Sequence, residues 1–184
     1  MIGSSVVNLD YSYTFCNSIT TLINIPDSVR TMSHTYANCN TLSGAPRFGN
    51  NVTNISYAYS GCPLINGKIV IPDSVEDMSY AFQSCTNLVS SPVFGANAKH
   101  IAGAYSGCTL LTGSPIIPEN ATNVTSLYRG CISLTGNIVI PQNATNIAGI
   151  YYNCSKLKGS PACPSSVVNM NQAYYNCTNL TGSP

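Results

Sequence analysis

Charge is what this chain has least of. Asp, Glu, Lys and Arg make up only 7% of its 184 residues, the formal net charge is +1, and tryptophan is absent. The seven Lys and Arg are scattered with no basic run, which excludes the electrostatic footprint of a nucleic-acid binder. The six acids are equally dispersed, and Asp73, Glu76 and Asp77, their one local cluster, read as a solvated turn rather than a calcium site. No stretch approaches the roughly 18 apolar residues of a membrane span. His34 and His100 are the only histidines and fall three coils apart in different columns, so no catalytic pair or metal set is expected and no cofactor is implied. Residues 1–5 lack the basic start and apolar core of a signal peptide. Solubility must come from Asn, Ser and Thr.

What is present is a period. Cys16, Cys39, Cys62, Cys85, Cys108, Cys131, Cys154 and Cys177 recur every 23 residues. Three residues before each stands an aromatic (Tyr13, Tyr36, Tyr59, Phe82, Tyr105, Tyr128, Tyr151, Tyr174), and three after each stands Leu or Ile. Nine after come Ile25, Phe48, Ile71, Phe94, Ile117 and Ile140, then Cys163, which explains the odd ninth cysteine as a member of an apolar column. A fixed period of this length means one small unit stacked many times, each coil touching its neighbours.

A single coil could not fold alone. Its apolar columns supply roughly 1.5–3 kcal/mol each when buried, against roughly 1–2 kcal/mol to order each backbone residue. Stacking covers both faces of an inner coil and closes that gap. The best strand runs from three to nine residues after the Cys, clearest at 68–71 and 137–140. Period-two alternation turns the third, fifth, seventh and ninth positions inward and the sixth and eighth outward. Pro46, Pro92, Pro115 and Pro161 remove ladder donors, so these strands should be short. Apolar spacings of three or four in the rest of the coil suit short turns. The expected fold is a mainly β repeat solenoid: a right-handed, leucine-rich-repeat-like coil stack with a parallel sheet on one face and short turns or 3-10 segments on the other. An extra 46-residue rhythm, Pro-Asp-Ser-Val at 26–29 and 72–75 alternating with Phe-Gly at 48–49 and 94–95, points to a duplicated two-coil unit.

Read together, Ala104-Tyr105-Ser106-Gly107-Cys108, Leu111, Gly113, Ile117-Pro118 and Asn123-Val124 resemble the BspA-like, or Treponema-type, leucine-rich repeat. The resemblance spans essentially the whole chain. Departures are the preference for Tyr over Phe and the Gly-Ser-Pro that interrupts the strand. It implies a curved repeat protein of microbial surfaces, often adhesive and without catalysis.

Residues 1–184 read as one solenoid of about eight coils. Both ends place repeat-column residues at the terminus without a polar cap, which is expected of a piece of a longer chain or of copies that join. The stacked cysteines admit two readings. Reduced thiols acting as small apolar fillers are favoured, because parallel side chains do not offer the near-perpendicular dihedral of a disulfide; paired disulfides are the alternative.

Two sets of candidate binding residues emerge. Eight residues after each Cys, the outward positions hold Asn24, Arg47, Val70, Val93, Ile116, Val139 and Ala162, an apolar stripe flanked by Lys68. Strand preference for β-branched residues explains it blandly; a contact surface explains it functionally. Tyr11, Tyr57 and Tyr80, whose column includes His34, and Tyr152 with Tyr175 form the second set. Exposed tyrosine gives large contact area with a polar tip at low entropic cost, and packing between coils is the competing reading. Two functions follow. One is a non-enzymatic recognition or adhesion module, extracellular, on a cell surface or on a virion such as a phage particle, binding a protein or glycan. The other is a structural subunit of a filament, fibre or virion layer that binds copies of itself.

Overall fold

The structure is a computed structural model that describes residues 2–161 and 163–182. The 23-residue units stack as coils, each column residue lying over its counterpart in the next. The interior is filled by the columns read from the sequence. Tyr59, Phe82, Tyr105, Tyr128 and Tyr151 are fully buried, as are the cysteines from Cys39 to Cys154, the leucine column at Leu42, Leu88, Leu111, Leu134 and Leu157, and the Val/Ala column from Val29 to Ala144. The buried rings form one continuous stack from Tyr13 to Tyr174 with centroids 5.4–6.2 Å apart.

The ladder that joins the coils is not where the sequence placed it. It lies on the turn wall, the stretch that leads into each cysteine. In the first coil the N–H groups of Leu9, Tyr11, Tyr13 and Phe15 donate to the carbonyls of Thr31, Ser33, Thr35 and Ala37 in the next coil. The intervening N–H groups of Ser12, Thr14 and Cys16 donate back three residues, to Leu9, Tyr11 and Tyr13. Every N–H from 11 to 16 is thus satisfied, alternately between coils and within the coil, which meets the requirement that buried backbone groups be paired. The same alternation recurs down the stack, for example at 32–39 and 55–62. Where this wall begins, a parallel bridge links Asn8, Thr31, Asn54, Asp77 and His100 in succession, and another links Asn123, Asn146 and Asn169. Asn54, Asp77, Asn123, Asn146 and Asn169 also turn a side-chain oxygen to the N–H two residues on, so the Asn-rich column starts the turn and carries the bridge.

The expected sheet from three to nine residues after each Cys is reduced, among the described residues, to isolated parallel bridges near its beginning: Thr21 with Ser43, Gly44 with Ile65, and Asn137 with Lys158. The prolines remove donors here, and the buried tyrosines supply what a ladder would have. The hydroxyl of Tyr59 donates to the carbonyl of Arg47 and accepts from the N–H of the same residue. Tyr105 does this for Val93, Tyr128 for Ile116 and Tyr151 for Val139, with donated bonds of 2.5–2.9 Å and accepted bonds of 3.1–3.3 Å. One phenol therefore satisfies both peptide groups of one residue in the preceding coil. The departure from the family's phenylalanine has its physical reason in this clamp. Inside–outside alternation still holds: Pro46, Ile69, Pro92 and Pro115 are buried, and the stripe residue that follows each points outward.

The clamp is missing at two places in the aromatic column: the Tyr36 hydroxyl is buried without a hydrogen-bond partner, and Phe82, twelve residues after Val70, has no hydroxyl to offer it. Phe82→Tyr should restore the clamp and raise stability by about 1 kcal/mol, the net worth of a typical hydrogen bond. Tyr128→Phe should lower it by about 1–3 kcal/mol, because the groups of Ile116 are left unpaired. Urea unfolding at constant slope reads both, and a Phe82→Tyr variant no more stable than the parent would refute the clamp.

Candidate functional site

Two exposed features flank the core, one on each wall. On the turn wall, Tyr11, His34, Tyr57 and Tyr80 stack in one row, with centroids 4.5, 4.4 and 4.8 Å apart and planes within 16°. All four have left-handed backbones, φ 58°, 55°, 54° and 54°, a conformation that costs a non-glycine residue about 1–3 kcal/mol. A stacked pair returns about 0.5–1.5 kcal/mol, and inner members of the row have two neighbours. Stacking and conformational strain are therefore comparable, and the row is held by its own length. It ends at Gly103, where the ring of Tyr80 leans over the backbone: a Cβ there would lie 2.2 Å from Tyr80 Cε1.

Further along, the aromatic strip moves sideways by three residues. Tyr152 and Tyr175 stack at 4.7 Å, and the guanidinium of Arg129 lies 3.7 Å over the Tyr152 ring. The two rows are complementary. Coils with a ring in the first column have Thr14, Ala37, Ser60 or Gln83 in the second, while the coils of Arg129, Tyr152 and Tyr175 have Ser126, Gly149 and Gln172 in the first. The rings stack between adjacent coils, which is the packing that competed with a contact surface in the sequence reading; Tyr11 and Tyr175 are exposed and Tyr57, Tyr80 and Tyr152 half-buried, and Arg129 was missed, although its shared column with Tyr152 and Tyr175 was the available signal. The geometry also limits what these rings can do. Their faces are turned to one another, so the rows offer edges and hydroxyl tips to a partner rather than open faces.

His34 Nδ1 lies 2.9 Å from Ser33 Oγ, and Asp10 holds Thr31 Oγ1 at 2.6 Å and the Ser33 N–H at 2.7 Å. Burial between two rings lowers the His34 pKa below its ordinary value, against the opposing pull of Asp10. The same Ser33 hydroxyl lies 3.0 Å from Ser56 Oγ, and among the described residues no group of three metal-binding side chains forms.

On the opposite wall the stripe is exposed as expected. Arg47, Lys68, Val70, Ile116 and Val139 face solvent and Val93 is half-buried; Ala162 lies outside the described residues. Arg47 reaches back to Asn24 Oδ1. Hollows open along this wall. One of about 390 Å³ adjoins Leu22, Asn24 and Arg47, one of about 360 Å³ lies among Pro46, Phe48 and Val70, and the largest, about 570 Å³, spans Val93 and Ile116. Phe48 and Phe94, the 46-residue rhythm in the sequence, stand edge-on to Tyr59 and Tyr105 at 5.7 Å in the floors of two of them.

The thiol column is chemically quiet. All nine cysteines are free. From Cys39 to Cys177 each column thiol donates to the carbonyl of the aromatic residue one coil back, at 2.9–3.1 Å. The filler is thus also a weak inter-coil hydrogen-bond donor, which a disulfide would abolish.

The BspA type leucine rich repeat region profile matches residues 8–127 and 101–182, in 6 copies. The chain belongs to this family. Its coil stack is similar to a leucine rich cell surface protein from Faecalibacterium prausnitzii A2-165, at 21% identity and TM-score 0.56 over 95% of this chain and 64% of that one. It is also similar to a leucine-rich repeat protein from Bacteroides ovatus ATCC 8483, at 21% identity and TM-score 0.65 over 99% of this chain and 53% of that one. The chain therefore spans less than two thirds of either protein, and at this identity the likeness shows the fold. No curated protein matches it.

Burial raises the thiols of Cys62 and Cys154 from 9.0 to about 12, and lifts Cys85, Cys108 and Cys131 well above their ordinary value. A folded-state pKa raised above the unfolded one gives stability that is intact below the unfolded value and lost as pH climbs towards the folded one. The thiols' contribution to stability should be flat up to about pH 9 and fall between 9 and about 12. Native-state alkylation at pH 8 should modify the exposed Cys163 first and leave Cys62 through Cys154 unmodified until unfolding; rapid loss of all nine thiols would refute a buried column.

Proposed function

We propose that this BspA-type repeat protein is a non-enzymatic recognition module, displayed outside the cell or on a particle surface, whose ligand is a macromolecule that lies along the coil stack. The observation that carries this reading is the stripe wall. Val93, Ile116 and Val139 are apolar side chains held outward on backbone whose N–H and carbonyl are both fixed by buried tyrosines, so the surface is pre-organised and loses little entropy on binding. Of the two ligand classes, a protein is favoured over a glycan, since the tyrosine rings that would stack on sugars already stack on each other. Family membership and likeness to a leucine rich cell surface protein support a surface location. The second reading, a structural subunit of a filament, fibre or virion layer, is supported by the same stripe: Val70 and Ile116 are 65% and 54% exposed, and a net charge of +1 gives little repulsion between copies.

One experiment separates the two. The parent and a Val93→Asp, Ile116→Asp double variant are compared on arrays of defined surface proteins and glycans, with mass by light scattering and fold by thermal melting. The recognition reading expects a monomer that captures proteins through the stripe and a folded variant that does not. Assemblies in the parent that dissolve in the variant favour the structural subunit, and capture unchanged in the variant removes the stripe from either role.

A further inference from the structure

Among the hollows of the stripe wall, the largest differs from the rest in shape and charge. Its sides are Pro92, Val93, Ile116 and Pro118, and its floor is Phe94 and Ile117. Three features of the sequence coincide only here. The stripe residue is apolar in both flanking coils, whereas the matching hollow one two-coil unit earlier carries Arg47. The position eleven residues after the Cys, elsewhere Asp27, Asn50, Asp73, Glu119, Gln142 or Ser165, is Ala96, which leaves the mouth open. Gly95 beside it brings the coils close, since a Cβ there would lie 2.4 Å from the Pro72 carbonyl oxygen. The walls are rigid, because Tyr105 and Tyr128 clamp Val93 and Ile116 and Phe94 is fixed edge-on to Tyr105.

The rim is acidic. Glu119 and Asn120 line one side, and Asp73 borders the other, one of its oxygens accepting the Ala96 N–H at 3.1 Å. Neither carboxylate is paired: among the described residues the one ion pair is Lys99 with Glu76. In a chain with six acids, Glu119 in the lining of this apolar groove and Asp73 bonded to Ala96 beside it set the chemistry of the occupant. Resting on the recognition reading above, we infer that this groove binds a polypeptide segment that presents an aliphatic or aromatic side chain flanked by lysine or arginine. The apolar side chain enters between Val93 and Ile116, and the cations meet Asp73 and Glu119. Backbone pairing plays no part, because the stripe's own peptide groups are already bonded to the tyrosines. Rim charges of this kind steer and select more than they hold, so the affinity should come from the groove and the discrimination from its edge.

The probes are two short peptides, identical except that a central Leu-Phe pair is flanked by lysines in one and glutamates in the other, titrated against the whole chain by anisotropy and by amide chemical shifts. The lysine peptide should bind saturably, shift Ala96 and Glu119, and weaken as salt rises; the glutamate peptide should not bind. Ile116→Asp should reduce binding by more than about tenfold, and Asn120→Asp, which adds a third acid without touching the core, should tighten it. Equal binding of the two peptides, binding of neither, or no response to Ile116→Asp would overturn the inference. If neither peptide binds while the arrays still show stripe-dependent capture, this site is refuted and the wider reading stands.

Discussion

Register between coils is the constraint on which everything else depends. Each coil donates and accepts in alternation on the turn wall, so a shift of one residue would place the donors that serve the next coil against donors that serve their own turn. The wall is therefore bonded in one register only, and that register stacks tyrosine on tyrosine and thiol on thiol. Columns of identical side chains are the outcome of this pairing as much as its cause: once the backbone fixes the alignment, whatever fits between neighbours in one coil fits in all of them.

The core achieves this with side chains that have a second task. Tyrosine fills volume and its hydroxyl replaces a missing ladder; cysteine fills a gap and its thiol meets a carbonyl. Both devices put a polar atom inside and, but for the buried Tyr36 hydroxyl, satisfy it, which avoids the cost of an orphaned buried group. Because the same two devices repeat, a change in one coil is a local event, as Phe82 shows: the stack passes through it unbroken, at 5.9 and 5.5 Å to its neighbours, while the clamp on Val70 is absent.

Much of this could be read from residue spacing. Column arithmetic located the buried rings, the leucines and the outward stripe from Arg47 to Val139, whereas the ninth cysteine, Cys163, shares the column of buried Ile117 and Ile140 and is itself exposed. It failed on which wall carries the ladder, because backbone pairing leaves a weak trace in side-chain identity. The trace was there in the glycines. Gly103 and Gly149 share a column with Tyr11, His34, Tyr57 and Tyr80, and Gly61, Gly107 and Gly130 share one with Phe15, Asn38 and Ser84; all are left-handed. Glycine alternating with large residues in one column marks a backbone need that side chains elsewhere in the column conceal. The acidic groove was invisible for another reason. Asp73, Ala96 and Glu119 belong to one column, yet only the stacked geometry shows that the small member opens a hollow between the two charged ones.

The two ring stacks also differ in spacing. Outside the turn wall the rings repeat every 4.4–4.8 Å, whereas inside it they repeat every 5.4–6.2 Å. The outer spacing matches the roughly 4.8 Å between paired strands, so the outer rows keep step with the backbone ladder of the same wall. Anything that slid one coil against the next there would have to part ring from ring and N–H from carbonyl at once.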